Sequence, residues 1–440
     1  MDEVSVDSAV MHRGVVLLVG GGGFIGGYLA SALRRRGWKV LCAVRKHGQE
    51  LAADERECHL ERMPSAQAWM PLLEGVDAVV NAAGILRETK TQRFDTIHYT
   101  APLALAQACA ERGIRRFVQI SALGVPEDGE FIASKHRFDE ALMQSLPSAV
   151  VLRPSVVYST GGSYGGSSLL RAMAAFPGVV PIPGDGRWQI QPIAVEDLGE
   201  MVACGLNTET VAGGIYEIGG PAPVSLRDYQ LAWRAWLRIP GRRVLCVPEA
   251  WVSLVVKVGE RIGRGPMGET MWRMIRRGNV ATPEAVKRSY EVLGVMARAL
   301  PEVLADRPSQ VQDRWQAQLY LVAPVLRIAV VALWLISALA GFITPAATIE
   351  DMASGSWLAG WEPVLLARAG GIVDLLLGGW LLSHWRPRAA IVSMLALLAV
   401  YTLVLGIGLP AIWLDPLGGL TKNLVLLPAL CVLWVLSERR

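Results

Sequence analysis

Four apolar stretches, at about 322–343, 364–383, 389–408 and 421–437, dominate the last quarter of the chain. Each approaches the length a helix needs to cross a hydrocarbon core of ~30 Å at ~1.5 Å per residue. Four in succession predict an all-α four-helix transmembrane bundle over 322–440 rather than buried helices of a soluble domain. The charged residues, 19% of the 440, concentrate before about residue 320 and predict a water-facing domain over 1–310.

Lys and Arg placement sets the expected orientation. The loop from Thr344 to Pro363 has no Lys or Arg and carries Glu350, Asp351 and Glu362. The loop His384-Trp385-Arg386-Pro387-Arg388 and the tail Ser437-Glu438-Arg439-Arg440 are basic. An even number of spans puts both termini on one side, expected to be the cytoplasmic side of a bacterial-type inner membrane. Arg327, Arg368 and Asp374 are ionisable residues that fall inside spans. Such groups are costly in lipid. Arg368 and Asp374 therefore predict either a polar site for a quinone-like, hydrophobic ligand or ion-pair glue between helices. Gly370-Gly371 and Gly378-Gly379 offer small faces for close helix packing.

A net charge of +4 with no long basic run gives no electrostatic support for nucleic-acid binding. The six cysteines, Cys42, Cys58, Cys109, Cys204, Cys246 and Cys431, form no CxxC pair and do not cluster with histidine. Reduced thiols are expected, with no metal site. Met1 to His12 is acidic and lacks the apolar core of a signal peptide.

In the first half, Val15 to Val19 is a continuous apolar run, as in a strand buried on both faces. It enters Gly20-Gly21-Gly22-Gly23-Phe24-Ile25-Gly26, followed by a helical pattern over Tyr28 to Arg36 and a second strand over Lys39 to Val44. The spacing GxxGxxG lets the backbone turn sharply and approach a pyrophosphate, and the helix N-terminus offers N–H groups to it. At the end of the second strand a carboxylate would accept from a ribose 2′-OH. Arg45 stands there instead, which favours NADP over NAD unless it is only a solvated charge. Asp77 to Gly84 reads as a strand into a small-residue loop, Phe117 to Ala122 as a strand with a polar end, and Ile132 to Leu146 as a helix. Ala149 to Leu152 reads as a strand closing on Arg153-Pro154. Alternating strands and helices predict a doubly wound parallel α/β sheet with a small C-terminal substrate subdomain.

The segments GGGGFIG (20–26), NAAG (81–84), VQISA (118–122), ASK (133–135), LRPSVVY (152–158), QPIAVEDLG (191–199) and YEIGGPAPVSLRDY (216–229) resemble the extended or atypical short-chain dehydrogenase/reductase superfamily. The order of QPIAVEDLG and EIGGPAPVSL after the Arg-Pro turn is similar to the branch containing the nucleotide-binding accessory subunit of respiratory complex I. The resemblance implies an NAD(P)-binding Rossmann fold over about 14–300. Gly20, Gly22, Gly23, Phe24, Ile25 and Gly26 would hold the pyrophosphate, Arg45 would meet the adenosine ribose, and Ala82, Ala83 and Gly84 would pass the adenine-side ribose and linker. Lys135 would bond the nicotinamide ribose. RAGGIVDLLLGGWLL (368–382) and DPLGGLTKNLVLL (415–427) resemble the DoxX-like membrane family, whose members are often associated with oxidoreductases.

The superfamily's catalytic pair is Tyr-x-x-x-Lys on one helix face, where the ammonium lowers the phenol's pKa and the phenol transfers a proton. Here that spacing lands on Phe131 and Lys135. Ser121 sits near the usual catalytic serine. Tyr158 and Tyr164 are candidates to supply the missing proton or, alternatively, packing and loop residues. Glu196-Asp197 diverge in direction on a helix and predict N-terminal capping rather than an acid–base pair. Where the family commonly places an adenine-facing Asp, this chain reads Glu61-Arg62-Met63. Two functions are compatible with this pattern. One is a membrane-anchored NAD(P)-dependent oxidoreductase, epimerase or dehydratase acting on a hydrophobic or membrane-linked substrate. The other is a non-catalytic NADP(H)-binding assembly or regulatory subunit of a membrane respiratory complex.

Overall fold

The computed structural model describes residues 13–45, 50–261, 267–414 and 419–438. Two compact units divide between Ala317 and Gln318. Met1–His12, Lys46, the Asp415–Gly418 start of the DoxX-like motif, and Arg439-Arg440 of the basic tail lie outside the described residues.

The first unit is built on a seven-stranded sheet. In chain order its strands are β1 (Val15–Val19), β2 (Lys39–Val44), β3 (Glu55–Glu57), β4 (Ala78–Asn81), β5 (Arg116–Ile120) and β6 (Val150–Pro154), completed by Gly214–Ile218. All neighbours pair in parallel, and the sheet runs Gly214–Ile218, β6, β5, β4, β1, β2, β3. The order reverses beside β1, leaving a crevice at the carboxyl ends of β1 and β4, where such sheets bind ligands.

Alternation along β1 joins two cores, because successive side chains point to opposite faces. Val16 and Leu18 pack with Leu29 and Leu33 of α1 (Phe24–Arg35) and with Leu198 and Val202 of helix Val195–Gly205. Leu17 and Val19 pack on the other face with Leu105 of helix Ala101–Glu111 and with Phe138 and Leu142 of helix Glu130–Ser145. A smaller subdomain gathers Tyr158, Tyr229, Trp233, Trp236 and Trp272 into a third, aromatic core.

The second unit is helical. Among the described residues, three helices are long and apolar enough to cross a membrane: Val311–Ile343, Pro363–Ser383 and Pro387–Gly408. The first has 33 residues and begins well before the apolar stretch expected at 322, because its polar opening turns continue the same helix. The fourth apolar stretch forms a shorter helix, Asn423–Leu436, of 14 residues with Pro428 inside. At ~1.5 Å per residue it extends about 21 Å, short of a hydrocarbon core of ~30 Å. Trp334, Leu377, Leu381, Ile391, Met394, Leu430 and Leu433 form this unit's core. Outward positions such as Ile336, Leu376, Leu403 and Ile407 are large, apolar and more than 60% exposed. Helices approach closely at Gly371, where an added Cβ would lie 3.2 Å from the Ala338 carbonyl oxygen.

Candidate functional site

The turn after β1 is held by backbone alone. Gly20 adopts φ +82°, a region where a side chain is strained. Its N–H donates to the Ala43 carbonyl at 3.3 Å and its carbonyl accepts from Gly23 N–H at 2.9 Å. An added Cβ at Gly26 would lie 2.1 Å from the Gly20 carbonyl oxygen, so only glycine permits this packing. Gly22 has ordinary clearance, 3.6 Å from Val44. Phe24 opens α1 and packs edge-on against Tyr28, and Ile25 lies against the core. The N-cap, Gly23, brings no capping side chain and no acidic residue occupies the first turn, so the positive end of α1 faces the crevice without a carboxylate to compete. Ala82 N–H donates to the Val19 carbonyl at 2.9 Å and Ala83 N–H to Asn81 Oδ1 at 3.2 Å, which brings the Ala82-Ala83-Gly84 loop against Gly20. The cradle that a Cβ would fill, beside a bare helix N-terminus, fits the pyrophosphate of a dinucleotide.

Lys135 lies on helix Glu130–Ser145, almost fully buried, and donates from Nζ to the Ile120 carbonyl at 3.0 Å. Burial pulls its ammonium down to about 8, partly offset by the Asp139 carboxylate one turn on. Phe131, one turn before Lys135, turns its ring to the same side, with Lys135 Nζ 5.9 Å from its centroid. His98 packs edge-to-face on that ring at 5.5 Å, and Phe94 closes the group at 6.2 Å. An added Cβ on Gly84 would lie 3.4 Å from Lys135 Nζ and 3.5 Å from His98 Nε2, which places the Ala82-Ala83-Gly84 loop, Lys135 and His98 together.

Sequence reasoning missed His98. It sits in a π-helical turn, Asp95–Thr100, a distortion common at functional sites. Its Nε2 accepts from the Ile85 N–H at 3.0 Å, so the ring proton is on Nδ1, which donates to Ser134 Oγ at 3.0 Å. Burial, then the Lys135 charge, pulls the imidazole down to about 2, and it stays neutral at physiological pH. Sequence reasoning also missed Asp139, although its i+4 spacing from Lys135 was a readable signal. Ser121 Oγ donates to Asp139 Oδ2 at 2.7 Å, and Arg153 Nε donates to the same oxygen at 2.8 Å. Burial raises the Asp139 carboxyl, against the pull of Arg153 and Ser121. The Ser121 proton is thus committed away from any substrate.

Tyr158 is not in this cleft. It is fully buried, packed edge-to-face on Tyr229 at 6.3 Å and Trp233 at 5.9 Å, and burial pushes its phenol above the usual range. A ring with this much apolar area is drawn into the aromatic core, which corrects its assignment as a proton donor. Tyr164 is a 61% exposed loop residue. Glu196 and Asp197 do not cap their helix, whose N-cap is Ala194. Instead Glu196 accepts from Ser159 Oγ at 2.8 Å, and Asp197 grips Arg298 through its backbone N–H and guanidinium. Arg45 is exposed just past β2. Burial pushes the nearby Glu61 carboxyl up, but its own amide, a 2.7 Å bond from Gln92 and the charges of Arg45 and His59 hold it lower overall.

In the second unit Arg368 and Asp374 do not pair. Arg368 donates to the Gly341 and Thr344 carbonyls, and Asp374 Oδ2 accepts from Ser337 Oγ at 2.6 Å. The described cysteines are free, and no cluster of potential metal ligands occurs among the described residues.

Two family models match the chain. Residues 16–219 match the NAD dependent epimerase/dehydratase family, and residues 331–434 match the DoxX-like family. The chain is 28% identical over 227 residues to the NADH dehydrogenase [ubiquinone] 1 alpha subcomplex subunit 9, mitochondrial, of Arabidopsis thaliana, covering 47% of this chain and 54% of that one. It is 28% identical over 153 residues to the ceramide reductase of Caulobacter vibrioides, covering 34% of this chain and 48% of that one. The chain thus spans about half the length of these curated relatives. Among solved structures, MoeE5 in complex with UDP-glucuronic acid and NAD superposes with a TM-score of 0.50 at 20% identity, covering 69% of this chain and all of that one, a likeness of fold. Crevice, glycine turn and matches together identify a short-chain-dehydrogenase-like domain of the NAD-dependent epimerase/dehydratase type, joined to a DoxX-like domain whose three long apolar helices fit a membrane.

Proposed function

We propose that this protein is a membrane-anchored NAD(P)(H)-binding protein that holds its cofactor without the family's tyrosine-driven proton transfer. The observation that carries this is Phe131, seated against His98 and Lys135 where a phenol would be needed. The other groups do not replace it. Ser121 gives its proton to Asp139, His98 is neutral with Nε2 engaged by Ile85, and Tyr158 is elsewhere. Gly20, Gly22, Gly23, Phe24, Ile25 and Gly26 would carry the pyrophosphate, Ala82, Ala83 and Gly84 the adjoining linker, and Lys135 the nicotinamide ribose. The cofactor would supply hydride chemistry when bound. Arg45 would favour NADP by pairing with its 2′-phosphate. The likeness to a complex I subunit supports a role in assembling or regulating a membrane oxidoreductase complex.

A second reading, an active reductase of a hydrophobic, membrane-linked or quinone-like substrate, is favoured by the lowered Lys135 ammonium, an acid poised near neutral pH, and by the likeness to ceramide reductase. Steady-state reduction of a panel of long-chain carbonyls and quinones separates the two. The wild type should bind cofactor and turn over at or near background, and Phe131→Tyr should raise carbonyl reduction with nearly unchanged cofactor affinity. A positioned proton donor contributes typically ~10²–10⁴-fold. Rapid wild-type turnover that Phe131→Tyr leaves untouched would refute the non-catalytic reading.

The charge placement around the helices supports a cytoplasmic N-terminal domain, with Thr344–Pro363 on the far side of the membrane. A reporter active only in the cytoplasm should be silent when inserted between 344 and 363. One fused after Arg440 should be active if Asn423–Leu436 spans and silent if only the three long helices do.

A further inference from the structure

Helix Glu249–Arg261, in the first unit, carries apolar residues on two faces. Val256 is 3% exposed and, with Val252, packs into the aromatic subdomain core. The other face is open to solvent. Trp251 is 63% exposed, Leu254 51%, Val255 61% and Val258 47%. Their spacing of i, i+3, i+4 and i+7 gathers them within an arc of about 100° on a helix of 3.6 residues per turn. A continuous apolar stripe on the outside of a folded domain marks a contact surface rather than chance exposure.

Charge around the stripe is one-sided. Lys257 and Arg261 border it on the helix, and Arg242 and Arg243 are exposed just before the adjoining strand Val244–Val247, where Leu245 is 53% exposed. The helix's two acidic residues are engaged within the domain. Glu249 pairs with Arg276 at 3.1 Å, and Glu260 accepts the Glu269 N–H at 2.9 Å.

We propose that helix Glu249–Arg261 is an interfacial docking helix that lays Trp251, Leu254, Val255 and Val258 into an anionic bilayer surface. An apolar stripe with an indole, bordered by long cationic side chains, is the chemistry of a helix lying in the headgroup boundary. Charge complementarity points to acidic lipid, and the three long apolar helices of the same chain provide the membrane. The proposal rests on the reading of those helices as bilayer-embedded. Docking would keep the cofactor domain at the lipid surface, where a membrane-linked substrate or complex is met.

The test uses the full chain in lipid nanodiscs, with Cys204, Cys246 and Cys431 replaced by serine and one nitroxide per protein. Labels go at Val255→Cys and Val258→Cys on the stripe, at Ile336→Cys on the first long helix, and at Lys39→Cys on an exposed strand end. The ratio of oxygen to nickel-chelate accessibility reads depth in lipid. In discs containing phosphatidylglycerol, the two stripe labels should read severalfold above Lys39→Cys. They should fall toward it in phosphatidylcholine alone or when Lys257→Gln and Arg261→Gln are added. Stripe labels equal to Lys39→Cys in both lipids, with Ile336→Cys deep, would overturn the docking helix and leave the membrane reading intact. An Ile336→Cys label reading as water would overturn both. Spin–spin broadening between stripe labels that vanishes on dilution with unlabelled protein would assign the face to a second copy and overturn the proposal.

Discussion

At one end of the crevice a single methyl added to Gly26 would lie 2.1 Å from the Gly20 carbonyl oxygen, while at the other end the ring of Phe131 packs edge-to-face with His98 and has no hydroxyl to offer. The first end is specified by backbone that tolerates nothing larger than hydrogen. The second is specified by one side chain, whose ring packs fully without a hydroxyl. On the proposed function, binding and chemistry separate: the requirements of the glycine turn are steric and bound up with folding, whereas those of proton transfer rest on a few polar atoms.

The largest effect is expected at the turn. Gly26→Ala should abolish cofactor binding and destabilise the first unit by roughly 4 kcal/mol or more, because both contacting groups are backbone and cannot yield cheaply. Calorimetric titration with a thermal melt checks this, and a melt unchanged from wild type would show that the turn relaxes.

The next effect is at Lys135. Its ammonium is present below about pH 8 and lost above it, since burial has lowered it from the usual lysine range. Cofactor affinity should therefore be greatest below that pH and fall as pH rises through it. Lys135→Met should remove the pH dependence and weaken binding about tenfold or more, from a charge-assisted hydrogen bond of about 1.5–3 kcal/mol. Binding that stays flat across pH 7 to 9 in the wild type would separate Lys135 from the cofactor.

The smallest effect is expected at Arg45, exposed and near Glu61. The wild type should prefer NADP(H) over NAD(H), and Arg45→Ala should reduce that preference by roughly tenfold, with solvent and Glu61 both limiting the gain. Titration of both cofactors decides it, and equal affinities in the wild type would leave Arg45 a surface charge.

Local pattern carried far in places. β1 and β2 occupy Val15–Val19 and Lys39–Val44, as their apolar runs imply, because a parallel strand covered on both faces must be apolar throughout. α1 begins at Phe24 rather than near Tyr28, since glycines in its first turn carry no periodic apolar signal. His98 left no signal of its own: it is drawn into the cleft by a π-turn, and neutralised by burial beside Lys135, a neighbour 37 positions away in sequence. Tyr158 reads equally well as a donor or as core until the third, aromatic core is seen around it.

The parallel sheet, the glycine turn, the absence of a tyrosine four residues before Lys135 and the apolar second unit follow from residue order alone. Each of these depends on residue type and near-neighbour spacing, which strand, turn and helix geometry read directly. Long-range packing, by contrast, sends the Ser121 proton to Asp139, makes Tyr158 core, parts Arg368 from Asp374, and turns Trp251, Leu254, Val255 and Val258 outward while Val256 faces in. Those outcomes depend on which surfaces meet across the fold, and a hydroxyl, a ring or a charge takes its role from the group that long-range packing sets beside it.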